Sequence, residues 1–477
     1  MYDVLIIGAG VTGAMIARKL SRFDLSIALL EKENDVGNVT SNANSAIIHS
    51  GYDPVPGTLK AKLNVLGNKM FDDIAKELDV HFNRCGSLTV AINDEQLKML
   101  HDLEKRSKEN GVEVKILSKE EVLKLEPNIN PEVVGALLAP SAGVIDPFNL
   151  VVHAVENAVD NGVALFLNQE VKDIKYLNDA FVIKTNDKEY TAKVVINAAG
   201  LYSDKIASMI EPISWSLTPR KGEYFVLDHY KVGLVNRTIF PLPSAKGKGV
   251  LVSLTSSNNY IVGPSSEPIP DKDDVSTDAY TLSEIRRQAT DLVPSIPFNQ
   301  VIRVFSGVRP TPSTHDFIIE PAKSNDHFIN VAGIESPGLV SSPAIAEYVY
   351  EQYISKLFNL VEKKNFNPCV KKYHRLNELS ETERNKLIKE NPEYGKIICS
   401  CEKVSLGEIK DLLFRSVPPT TVKGVKRRCR AGFGKCQGGF CSPLVTMILA
   451  KHYNVSPLNI KWDKENSNIL LEEVKKL

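Results

Sequence analysis

Seven cysteines occur in the 477-residue chain, and five of them, Cys399, Cys401, Cys429, Cys436 and Cys441, fall within the last eighty positions. Four of these make two close pairs, C-x-C at Cys399 and Cys401 and C-x4-C at Cys436 and Cys441, with 34 residues between the pairs. In a reducing compartment, clustered cysteines of this kind bind metal or do redox work rather than form disulfides. Two pairs of thiolates are the donor set of a tetrahedral zinc ion or of an iron–sulfur cluster. Zinc ribbons favour C-x2-C, which the first pair is not. Glycines crowd the second pair, GKCQGGFC at 434–441, and so expose backbone N–H groups able to donate to sulfide, a use that zinc does not require. The pattern favours [2Fe–2S] and leaves zinc as the alternative. Cys429 is surplus, an alternative ligand or a buried small hydrophobe, with burial expected; Cys85 and Cys369 carry no spacing signal and read as structural.

The second set of residues able to do chemistry is at the other end, in DVLIIGAGVTGAMIARKL. A short apolar β-branched run enters Gly8-x-Gly10-x-x-Gly13, and helical spacing comes next. Gly8 permits the turn, Gly10 lets the backbone approach a pyrophosphate, and Gly13 allows the helix to pack closely on the strand; the helix N-terminus offers free N–H groups to phosphate. A second strand, SIALLEK, ends at Glu31, placed to bind ribose hydroxyls. The fingerprint fits FAD and NAD alike.

The segments downstream of Glu31 decide between the two cofactors. Residues 37–53 read GNVTSNANSAIIHSGYD and continue into PGTLKAKLNVLGNKMF; further along come VVINAAGLYSDKIA (194–207), LTPRKGEYFVLD (217–228), FSGVRPTP (305–312) and NVAGIESPGLVSSPAIAEYV (330–349). In that order these segments resemble the D-amino-acid-oxidase-like flavoproteins, in the branch holding glycerol-3-phosphate dehydrogenases and L-2-hydroxyglutarate dehydrogenases. The resemblance covers about the first three quarters of the chain. It implies FAD as cofactor, with Thr40, Ser41, Asn44 and Ser45 in a loop under the pyrophosphate and flavin, His49 close to the flavin, and Arg309 binding a substrate phosphate or carboxylate. The stretch RCRAGFGKCQGGFCSPLVTMILAKHY (428–453) resembles the bacterioferritin-associated-ferredoxin-like [2Fe–2S] domain, which the large subunit of anaerobic glycerol-3-phosphate dehydrogenases also carries.

These residues also have physical readings of their own. Oxidising an alcohol with FAD needs a neutral base beside the ring, and an imidazole is suitably poised, which makes His49 the candidate. An anionic substrate needs a cation, and the fork of Arg309 suits phosphate or carboxylate; Arg303 and Arg220 are weaker candidates and Lys62 weaker still. VVINAAG is a buried strand ending in small residues, Ala199 and Gly200, past which a cofactor can lie closely. Gly333, Gly338 and Leu339 precede or open a helical stretch whose N-terminus can face the flavin and hold negative charge.

The elements that must position all this suggest an α/β chain: a Rossmann-type FAD-binding domain interleaved with an antiparallel-sheet substrate domain, plus a small helical C-terminal [2Fe–2S] domain. Residues 1–355 form the oxidoreductase, with the substrate domain mainly at 86–140 and 211–300, where SLTVAI, EYFVLD and NNYIVG alternate like half-buried strands. Residues 356–395 read as a charged linker, 396–452 as the cluster domain and 453–477 as a tail. Lys+Arg and Asp+Glu both total 58, so no global charge attracts nucleic acid or an acidic membrane. No secretory signal is apparent, and LVVHAVENAVDNGVALFL carries Glu156 and Asp160, too polar to span a bilayer; a cytoplasmic protein, at most peripheral to a membrane, is expected.

The function expected is oxidation of a small anionic secondary alcohol, foremost sn-glycerol 3-phosphate to dihydroxyacetone phosphate, with electrons leaving through FAD and the cluster to a protein subunit or quinone-linked partner. A 2-hydroxyacid such as L-2-hydroxyglutarate is the first alternative and an amine of the proline type the second. A non-enzymatic electron-transfer adaptor is the third; such an adaptor would need neither His49 nor Arg309. The one fold hosts many chemistries, so it does not choose the substrate.

Overall fold

The computed structural model describes residues 1–229, 233–243 and 249–473. The last four positions of the expected tail, and residues 230–232 and 244–248 of the 211–300 segment, lie outside the described residues.

Strand Tyr2–Ile7 is the centre of the first sheet, pairing in parallel with Ile27–Leu30 on one side and Glu189–Asn197 on the other, in registers that set Ile7 beside both Leu30 and Asn197. Its run is almost wholly apolar because both faces are covered. Val4 and Ile6 pack under helices Val11–Leu20, Pro147–Asp160 and Gly338–Val349, while Leu5 and Ile7 face Phe181, Ile206 and Phe328 on the other side. Strand Asn325–Ala332 extends the parallel set beyond Glu189–Asn197. From Tyr2–Ile7 the chain moves outward through Ile27–Leu30 and Ala164–Phe166 on one side and returns to Glu189–Asn197 on the other, so a crevice opens at the carboxyl edge of the sheet, where Gly8 and Ala198 follow their strands.

A second, mostly antiparallel sheet is built from segments on both sides of the first. It includes Ser87–Ala91, Lys115–Ser118, Gly135–Ala139, Leu217–Leu227 and Leu251–Leu254, and it takes in the long strand Val301–Pro312, paired along its length with Leu217–Leu227. A small three-stranded sheet, Ile47–Ile48, Phe82–Asn83 and Gly143–Ile145, joins the two.

The C-terminal body has its own core of Ile409, Leu412, Val425, Val445 and Leu449. Helix Leu406–Leu413 starts with a capping box between Ser405 and Glu408, Val422–Cys429 starts on a Thr421 cap, and Ser442–Tyr453 starts directly after Cys441. The segment expected as a linker is fastened down: Val370 N–H donates to Glu77 O (3.0 Å), Arg375 pairs with Asp79 (3.0 Å), and the Tyr373 hydroxyl donates to Arg428 O (2.7 Å). Among the described residues no helix is long and apolar enough to cross a membrane.

Candidate active site and cysteine centre

A cleft of about 960 Å³ runs from the glycine turn of the first sheet to the inner face of the second. Its nucleotide end is shaped by absent side chains. Gly8 has φ +101°, and a Cβ there would lie 2.5 Å from Ala198 O; a Cβ on Gly13 would lie 1.9 Å from Gly8 O. Helix Val11–Leu20 begins after Gly10 with no capping side chain of its own; instead the Ser41 hydroxyl accepts from Val11 N–H (2.9 Å). Buried Glu31 accepts from the N–H groups of Ala9 (2.8 Å) and Glu33 (2.9 Å), and burial pushes its carboxyl pKa up against those donors.

Thr40, Ser41, Asn44 and Ser45 line the middle of the cleft. The loop is held from below: Thr40 Oγ1 donates to Val308 O (2.8 Å), and Asn44 Nδ2 donates to Ser41 O (2.8 Å). Gly200, Gly338 and Leu339 also line it, so the N-terminus of Gly338–Val349 opens onto the cleft beside that of Val11–Leu20. Ala199 and Gly333 shape rather than line it: Ala199 packs against Gly8, and Gly333 turns the chain at φ +65° against Pro312. A glycine-walled cradle with two helix N-termini and a hydroxyl-lined floor fits the pyrophosphate and ring of an FAD.

His49 follows Ile47–Ile48 and faces this cleft with its ring 5.8 Å from that of Phe240. Its carbonyl is clamped by Asn64 Nδ2 (2.8 Å) and Asn68 Nδ2 (3.0 Å) from helix Leu59–Glu77. Arg309 and Arg220 stand directly opposite each other on Val301–Pro312 and Leu217–Leu227, and both line the cleft. Arg309 Nη2 donates to Ser265 O (2.8 Å) and Arg220 Nη1 to Ser266 Oγ (3.3 Å), while the buried Arg220 Nε has no partner. Two guanidiniums side by side with an unused donor are able to bind an anion.

Of the weaker cations, Arg220 therefore joins Arg309. Arg303 does not: it reaches the C-terminal body, its Nη1 donating to Gln437 Oε1 (3.4 Å). Lys62 stacks over Tyr348 on the far side of its helix (5.6 Å). Sequence reading missed two glycines that make the arrangement possible. A Cβ on Gly222 would lie 2.4 Å from Arg309 Nη2, and one on Gly307 would lie 2.0 Å from Ala43 O in the flavin loop. The signal was present as Arg220-x-Gly222 and Gly307-x-Arg309, since residues two apart on a strand share a face.

In the C-terminal body the four cysteines come together as pairs. Cys401 Sγ lies 3.7 Å from Cys436 Sγ, and the thiols of Cys399 and Cys441 interact. The Cys441 thiol is the main influence drawing the Cys399 pKa down to about 6, and N–H groups of Gly432 and Glu402 add to it against burial. Cys436 is likewise lowered, its burial outweighed by N–H donors from Gly438 and Phe440. Gly434 is required here, because a Cβ would fall 2.4 Å from Cys401 Cβ. Among the described residues no three ligands converge on one ion. Two thiol pairs ringed by N–H donors fit two irons bridged by sulfide better than a single zinc. Cys429 is buried, donates to Val425 O (3.3 Å), and is pushed up to about 12 by that burial, so it is packing rather than a ligand.

The two bodies are joined beside the cradle. Asp35, in the loop between Ile27–Leu30 and Thr40, accepts from Arg427 (2.8 Å) and from both nitrogens of the Arg428 fork (2.8 and 2.9 Å), and Arg427 also donates to Asn38. Burial opposes ionisation of Asp35, and the two guanidiniums overcome it, holding the carboxyl well below its usual range. A bidentate Arg415–Glu156 pair (2.6 Å) and Arg430 donating to Asn259 (2.9 Å) complete the seam.

Residues 3–352 match the FAD dependent oxidoreductase family, and residues 397–451 match the BFD-like [2Fe-2S] binding domain. The chain belongs to the FAD dependent oxidoreductases. Within that family it is 48% identical to a glycerol 3-phosphate dehydrogenase of Caloramator mitchellensis over 98% of both chains. It is 38% identical to a glycerol 3-phosphate oxidase of Mycoplasma genitalium, covering 97% of the oxidase but 77% of this chain. Among solved structures it superposes on the FAD-bound L-alpha-glycerophosphate oxidase of Mycoplasma pneumoniae with a TM-score of 0.75 at 33% identity, covering 99% of that chain and 78% of this one. This FAD dependent oxidoreductase thus has FAD and a [2Fe–2S] cluster as cofactors, and its α/β fold with the C-terminal cluster body is the one its sequence implies.

Proposed function

We propose that the protein is a glycerol-3-phosphate dehydrogenase that oxidises sn-glycerol 3-phosphate to dihydroxyacetone phosphate and hands the electrons on singly. The observation that carries this reading is the Arg220–Arg309 pair in the same cleft as His49 and the FAD cradle. When bound, FAD supplies a two-electron acceptor for the hydride of an alcohol carbon, and the cluster supplies a one-electron carrier. The arginine pair binds and orients the substrate's phosphate. His49, clamped through its carbonyl, takes the hydroxyl proton on an imidazole nitrogen. Cys399, Cys401, Cys436 and Cys441 hold the cluster, and Glu31 with the glycine turn holds the nucleotide.

The oxidase relatives leave about a quarter of this chain unmatched, whereas the dehydrogenase relative spans it, which supports a one-electron relay to a partner over direct use of oxygen. Exposed Cys401, with Phe440 85% exposed directly before Cys441 and Met447 57% exposed six residues after it, supports a protein subunit, soluble or quinone-linked, as that partner. Anaerobic mixing of the purified holoprotein with glycerol 3-phosphate, L-2-hydroxyglutarate or L-proline tests the substrate. Glycerol 3-phosphate is expected to bleach the flavin fastest; preferential bleaching by either of the others would replace this reading.

A further inference from the structure

Lys426 is 3% exposed, on helix Val422–Cys429 at the seam between the two bodies. Its ammonium donates to Gln437 Oε1 (3.2 Å) and lies 4.7 Å from the centre of the Phe433 ring. Arg303 arrives from the other body, on the strand that also carries Arg309, and donates to the same Gln437 oxygen. The neighbouring carboxylates are already engaged: Asp463 with Lys423 (2.6 Å) and Arg427 (3.7 Å), Glu402 with Arg430 (2.8 Å). Among the described residues neither Lys426 nor Arg303 is within ion-pair distance of a carboxylate. A buried ammonium without a counter-charge is strongly disfavoured, so a negative group beside Lys426 would favour its charged form. The negative group at hand is the cysteine centre: Gln437, the acceptor that Lys426 and Arg303 share, comes directly after Cys436, and its own amide pins the loop through Phe433 O (2.8 Å) and Gly434 O (3.2 Å).

We infer that Lys426 and Arg303 form a cationic clamp on the [2Fe–2S] cluster, one charge from each body, that raises its reduction potential and so poises it to accept electrons when the bodies are docked. The inference rests on the proposed electron relay. An oxidised cluster on four thiolates is already negative, and the single electron that enters adds one more negative charge with no bond made or broken. Fixed positive charge at short range in a poorly solvated seam stabilises that added charge. Because Arg303 belongs to the oxidoreductase body, the cluster would be a weaker acceptor in an undocked arrangement, and docking at Asp35 sets the electron's direction as well as its path.

Potentiometric titration of the holoprotein with soluble mediators tests this, the reduced cluster being followed by low-temperature EPR and the flavin by absorbance. Lys426→Gln and Arg303→Gln are each expected to lower the cluster's reduction constant by about tenfold, which is ~59 mV for one electron, while Lys426→Arg restores it and the flavin midpoint stays in place. Should Lys426→Gln not retain its cluster, Arg303→Gln, on the other body, decides alone. A cluster midpoint unmoved in loaded Arg303→Gln overturns the clamp. No substrate enters the titration, so that result leaves the substrate reading standing, and failure of glycerol 3-phosphate to bleach the flavin leaves the clamp standing.

Discussion

At the scale of single residues the site is made as much by two glycines as by the groups that touch substrate. Gly222→Ala would drive a methyl group against Arg309 Nη2, Pro264 Cβ (2.9 Å) and Ser265 O (3.0 Å), so the arginine must move. We expect KM for glycerol 3-phosphate to rise by about 10-fold to 100-fold, the share of a displaced charge-assisted hydrogen bond, with the flavin spectrum retained. Steady-state kinetics beside a visible spectrum checks both halves. His49→Asn keeps the carbonyl clamp from Asn64 and Asn68 and removes the base. Flavin reduction in stopped flow should slow by about 10² to 10⁴, the usual contribution of general base catalysis. Unchanged reduction would move the base elsewhere.

At the scale of elements, helix Val422–Cys429 matters most, because it joins the cluster body to the loop under the flavin. Asp35→Ala would leave Arg428, which is 1% exposed, without its carboxylate, and Arg427, which is 3% exposed, with only Asp463 at 3.7 Å. Removing one partner of a buried ion pair costs ~3–5 kcal/mol, so the cluster body should loosen from the seam while Ile409, Val425 and Leu449 keep it folded. Limited proteolysis in the 356–395 segment should quicken, with cluster absorbance retained. The pH dependence has a definite sign. The folded pKa of Asp35 lies below its unfolded value of about 3.9, so its contribution is present above that value and is lost only as pH falls through the lower, folded one. Docking should survive mild acid, and a seam that opened between pH 5 and 7 would exclude Asp35 as its main fastening.

Taken whole, the molecule joins the body with the FAD cleft to the body with the cysteine centre across a charged seam. Cys401→Ser removes an exposed thiol that we propose as a cluster ligand and touches nothing in the cleft. Substrate should still bleach the flavin at close to the normal rate, while turnover with the natural acceptor disappears. If the variant bleached as slowly as His49→Asn, the cluster would be structural and the relay would have to be abandoned.

Much of the molecule was legible in the chain itself. The glycine turn is local: Gly8, Gly10 and Gly13 are fixed by a strand, a turn and a helix adjacent in sequence, so spacing alone specified them. The four clustered cysteines stood out as two short pairs in the sequence, but that Cys399 meets Cys441 and Cys401 meets Cys436 was decided by the fold. The mixed α/β class came from the switch between βα rhythm and alternating strands. The anion site was only half legible. Arg309 stood out in SGVRPTP, but Arg220 lies 89 residues earlier and became its partner through cross-strand register, which no local pattern encodes. Arg303 shows the limit most plainly. Six residues before Arg309 on the same strand, it is about 20 Å away at ~3.3 Å per residue, and that places it in the other site altogether. Sequence determined which groups can do chemistry, because chemistry is a property of residue types and short spacings. Tertiary structure alone decided which body each charge serves, because burial, counter-charge and strand pairing arise only between segments that are far apart along the chain.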